Sequence, residues 1–96
     1  MLTNDNLLIE KPHPLGGTQR LYKFANGKGL SVINGRELHS YPFAWEVAVV
    51  NGIKDDGSFT DIDYTSNLTE DIEVFASDDE TNAFISKAKE MFDVAI

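Results

Sequence analysis

The stretch Ser77–Asp93, SDDETNAFISKAKEMFD, decides the fold. Phe84, Ile85, Ala88, Met91 and Phe92 recur at three- and four-residue steps, which draws one apolar stripe along a helix. Ser77 followed by Glu80 has capping-box spacing, and Asp78 and Asp79 suit the positive end of the helix dipole. The pattern predicts a helix over residues 78–93. A helix of that length is not stable alone in water, so its stripe must be buried against something.

The preceding chain supplies a sheet. Trp45-Glu46-Val47-Ala48-Val49-Val50 alternates, with Trp45, Val47 and Val49 on one face and a second face that is polar at its start and small further on. Residues 18–25 and 30–33 read as strands joined through Asn26-Gly27-Lys28-Gly29, residues that tolerate positive φ, which predicts a hairpin. Phe59–Tyr64 reads as a further strand that alternates Ile62 and Tyr64 with Asp61 and Asp63, and 72–75 as a short fifth one. One wet sheet face would put those two aspartates in solvent. Residues 36–43, with Pro42 and no period, read as a loop. Residues 1–17 hold Leu7-Leu8-Ile9 and then Pro12, Pro14 and Gly16-Gly17, an extended arm whose apolar triplet docks on the body or on a partner. The expected fold is therefore α+β: an arm over 1–17, then one domain over 18–96 in which an antiparallel meander of four or five strands carries the C-terminal helix on one face.

Charge narrows the function classes. The 96 residues carry 16 acids against 8 bases, but the first half is net +1 and the second net −9. Between Asp55 and Glu80 lie ten acids and no base. The face expected from them comprises Asp55, Asp56, Asp61, Asp63, Glu73, Asp78, Asp79 and Glu80. Such a surface repels phosphates, so direct nucleic-acid binding and anionic membranes are disfavoured, whereas a basic protein partner is favoured. No apolar run approaches the ~20 residues of a membrane helix, and Met1–Glu10 lacks the layout of a secretory leader. A cytoplasmic location is expected.

Chemistry finds little support. With no cysteine there is no thiol nucleophile or cysteine metal cluster. The two histidines, His13 and His39, lie in the arm and the loop, and no nucleophile elbow surrounds Ser40. Asp61 and Asp63 could share a hard cation, but the stretch from Asp55 lacks the ligand pattern of a calcium loop. No catalytic residue, metal site or cofactor is expected. Tyr41 and Phe43, beside Arg36 and His39, fit a protein-binding hot spot, and a lid over the Trp45 strand fits them equally.

Three segments carry a resemblance. Tyr22-Lys23-Phe24 with Asn26-Gly27, then Trp45-Glu46 with Ala48-Val49, then Tyr64 with Thr69 and Asp71 before the terminal helix resemble small uncharacterised proteins of tailed bacteriophages and prophages. The likeness spans residues 21–92. It departs at Lys28-Gly29, at Ser66-Asn67 and in the N-terminal arm. It implies a phage origin, hence host cytoplasm, and the strand order, and carries over no activity and no site residue. The expected function is a small acidic accessory protein that binds a host or phage protein without catalysis. The alternative is a DNA mimic whose 55–80 acids block a host nucleic-acid enzyme. Sheet edges and the Leu7-Leu8-Ile9 triplet also allow a homodimer.

Overall fold

The computed structural model describes residues 2–13, 17–34, 45–63 and 73–93. Among the described residues six strands form one antiparallel sheet: β1 (Leu7–Pro12), β2 (Thr18–Lys23), β3 (Gly29–Asn34), β4 (Trp45–Asn51), β5 (Asp61–Ile62) and β6 (Glu73–Phe75). One helix, α1 (Asp78–Phe92), follows. The α+β architecture is the one expected.

The β2–β3 hairpin turns at Ala25–Gly27, where Asn26 and Gly27 take φ of 63° and 77°. These are the positive values that an Asn-Gly pair accommodates at little steric cost. Tyr22 then pairs with Leu30, and Leu30 with Val49, so apolar side chains line up across three strands. This face meets α1: Tyr22, Phe24, Leu30, Val32, Val47 and Val49 enclose Ile85 and Ala88. Seven residues of β4 span about 23 Å and fifteen of α1 about 22 Å, so the helix matches the height of the sheet. Trp45 Nε1 donates to Asp78 Oδ1 (2.8 Å) at one end, and the Phe24 and Phe92 rings lie 6.3 Å apart at the other. Ser77 accepts from the Glu80 amide at 3.2 Å, the cap its position predicts. Ser77→Ala should lower stability by about 1 kcal/mol in denaturant unfolding with an unchanged slope.

The structure refines or changes three expectations. First, the extended arm docks on the body through Leu7–Pro12, which pairs along β2 from Leu7↔Tyr22 to Pro12↔Thr18, with an irregularity between Leu7 and Ile9. Proline is tolerated because it closes an edge strand, where a missing amide donor costs least. Second, the meander holds only from β1 to β5. β6 returns to β4, Val47↔Glu73 and Trp45↔Phe75, and so shares β4's outer side with β5 rather than extending beyond it. Third, the face away from the helix is not wet throughout. Residues 51–60 fold back so that Ile53 joins Leu21 and Val50, with Leu8, Ile9, Phe59 and Ile62 packed around them. Gly57, at φ 88°, comes so near β1 and β2 that a Cβ there would meet Ile9 and Leu21 at 3.0 and 3.1 Å. Phe59 therefore belongs to this turn; of the expected 59–64 strand, Asp61–Ile62 pairs, and Tyr64 lies outside the described residues.

Candidate functional site

The eight acids of the expected face divide between two places, and Glu70 and Asp71 lie outside the described residues. Asp55 and Asp56 sit in the 54–58 turn, closed by Lys54 N to Ser58 O at 2.8 Å. Asp55 pairs with Lys23 (2.7 Å). Asp56 accepts from the Ser58 amide and hydroxyl, bonds that hold its carboxyl below its ordinary range. This turn lies over the face opposite the helix.

The others follow the outer side of β4, on the helix face. Asp61 pairs with Asn51, the Asp63 amide donates to Val49 O (2.7 Å), Glu73 pairs with Val47, and Asp78 holds Trp45. Positions 51, 49 and 47 are two residues apart, so Asp61, Asp63 and Glu73 follow the edge in steps of about 7 Å. Asp79 and Glu80, both exposed, continue the row on the first helical turn. Val74, 46% exposed, pairs with Glu46 and points to the other face of the sheet.

Asp61 and Asp63 do share a face, as alternation requires, but Asp63 is not in solvent. Its side chain is 9% exposed because Lys28 reaches across from the start of β3, Nζ to Oδ2 2.5 Å. Lys28 Nζ also donates to Asn51 Oδ1 at 2.6 Å, and Asn51 Nδ2 to Asp61 Oδ1 at 3.0 Å. Neither Lys28 nor Asn51 stands out in the sequence, since each reads as a turn residue beside glycine.

A second cluster also lacks a sequence signal. Arg20 donates through Nε to the Tyr22 hydroxyl (2.9 Å), through Nη2 to Thr3 O (3.0 Å) and Asn4 Oδ1 (2.6 Å), and pairs with Glu10. Tyr22 in turn donates to Thr3 O at 2.7 Å. Burial, opposed by the neighbouring guanidinium, holds that hydroxyl above its ordinary pKa, so it stays a donor through neutral pH. The cluster straps residues 2–6 onto the sheet.

No protein-family model, curated protein or solved structure matches the chain. Arg36, His39, Tyr41 and Phe43, the expected hot spot, lie outside the described residues. Among the described residues no three histidine or acidic side chains converge as metal ligands, and no helix is long and apolar enough to cross a membrane.

The bond from Trp45 lowers the Asp78 pKa. A depressed carboxyl contributes stability above its unfolded value and loses it as pH falls through the folded one. Trp45 is the only tryptophan, so its fluorescence should change as pH drops below about 4. Asp78→Asn should remove that acid step and leave the neutral spectrum close to the parent's.

Proposed function

We propose that this is a small acidic accessory protein that acts by binding the basic surface of a partner protein, with the outer side of β4 as its contact. The observation that carries the reading is the row Asp61, Glu73, Asp78, Asp79 and Glu80 along the helix side of this edge. Charge complementarity of this kind would steer a cationic partner toward the edge. The phage origin rests on the sequence resemblance alone.

The duplex-mimic alternative receives less support. With Asp63 neutralised by Lys28, Asp61 and Glu73 face positions about 13 Å apart, far sparser than duplex DNA with one charge per ~1.7 Å of axis. Asp55 and Asp56, which that reading also needs, face elsewhere.

Immobilised protein should retain a partner from a lysate of its host cell at low salt and release it as salt rises. The combined Glu73→Gln, Asp79→Asn and Glu80→Gln variant should lose that partner while keeping the parent's circular dichroism. Equal retention by the variant refutes the proposed contact. A partner displaced by duplex DNA would instead favour the mimic.

A further inference from the structure

The Lys28–Asn51–Asp63 cluster holds the parts of a covalent cross-link. Lys28 Nζ is 2.6 Å from Asn51 Oδ1, and adding the ~1.23 Å carbonyl bond puts it within about 3.8 Å of the Asn51 carbonyl carbon. Reacting atoms in productive encounters are about 3–3.5 Å apart, so a small rotation of the amide completes the approach. The groups come from separate elements, each pinned by its backbone. Lys28 closes the β2–β3 turn through Phe24 N to Lys28 O (2.8 Å), the Thr60 amide donates to Asn51 O (2.8 Å), and the Asp63 amide to Val49 O (2.7 Å). Asp61 accepts from Asn51 Nδ2, which turns the amide oxygen toward the amine. The Phe92 ring lies 5.7 Å from Nζ, and the Lys28 and Asp63 side chains are 30% and 9% exposed.

We propose that Lys28 and Asn51 form an intramolecular isopeptide bond, with Asp63 as the proton carrier. Asp63 takes a proton from the Lys28 ammonium. The freed lone pair attacks the Asn51 carbonyl carbon and a C–N bond forms. The carbonyl electron pair moves to Oδ1 and returns as the bond to Nδ2 breaks. The lysine nitrogen sheds two protons in all, and both reach Nδ2 by way of Asp63, so the nitrogen departs as ammonium. Nothing is oxidised or reduced and no co-reactant is needed. The product ties the start of β3 to the end of β4 across 23 residues of chain.

Intact mass spectrometry of the purified full chain, repeated after long incubation in mildly alkaline buffer, tests this. The expected mass is that of the sequence less one ammonia, and peptide mapping should give a branched peptide joining residues 28 and 51. Lys28→Arg and Asp63→Asn should each restore the unmodified mass for their sequence. Asn51 precedes Gly52, and closure of that pair to a succinimide also releases ammonia. Ammonia loss that persists in Lys28→Arg, or that reverses in base, therefore overturns the proposal. An unmodified mass in the folded parent protein overturns it equally. Should Asp63→Asn fail to fold, the parent peptide map and Lys28→Arg still decide.

Discussion

Ile85→Ala should cost about 3 kcal/mol, the largest loss expected from any single helix residue. Ile85 is 2% exposed and sits in the cluster with Leu30, Val32, Val47 and Val49, where strands cannot close over a vacated volume because their register is fixed by ladder bonds. Removing three heavy atoms there loses their transfer free energy and leaves a cavity. A chain of this length has a total stability on the order of 5–14 kcal/mol, so the variant spends much of its margin. Met91 belongs to the same sequence stripe but is 39% exposed. Met91→Ala should cost well under half as much, about 1 kcal/mol or less. Denaturant unfolding of the two variants gives the comparison. Equal losses would mean that α1 does not close the core through Ile85.

That contrast also shows where the sequence stops being legible. Periodicity puts Ile85 and Met91 in one stripe, and the structure distinguishes them because Met91 lies about 120° around the helix from Ile85, on the stripe's exposed flank. The helix limits, its cap and the 18–34 hairpin were readable because each is local: a hydroxyl three residues from its amide, an Asn-Gly pair where φ turns positive. β1 was not readable as a strand, because proline argues against strands in general and only its terminal place on an edge removes the objection. Ile53 and Phe59 gave no sign of a second core, since residues in an irregular turn have no period. For the site, alternation placed Asp61 and Asp63 on one face correctly. It could not show that Lys28, 35 residues away, neutralises Asp63. The acidic composition of 55–80 was plain in the sequence. Its division into an edge row and a separate turn depends on β6 returning to β4, which no local pattern encodes.

The second large effect should come from Arg20→Met. Methionine keeps much of the apolar stem and removes every donor, so the loss reports the polar strap rather than packing. The Arg20 side chain is 11% exposed, and hydrogen bonds to a charged group are worth about 1.5–3 kcal/mol each. Glu10, at 48% exposure, is well solvated and adds little to that. Tyr22 keeps its own donation to Thr3 O, which leaves no buried orphan behind. The net cost should be about 2–3 kcal/mol. Arg20→Lys should recover only part of it, because an ammonium cannot present the fork that spans Tyr22, Thr3 and Asn4. Hydrogen exchange separates a loosened strap from general destabilisation. The amides of Thr3, bonded to Asn82 Oδ1, and of Leu7, bonded to Asn4 O, should lose protection far more than Val32 or Val49 within the sheet. If Thr3 stays protected in Arg20→Met, then Leu2, 8% exposed in the core, holds the N-terminal segment by burial and the guanidinium is dispensable.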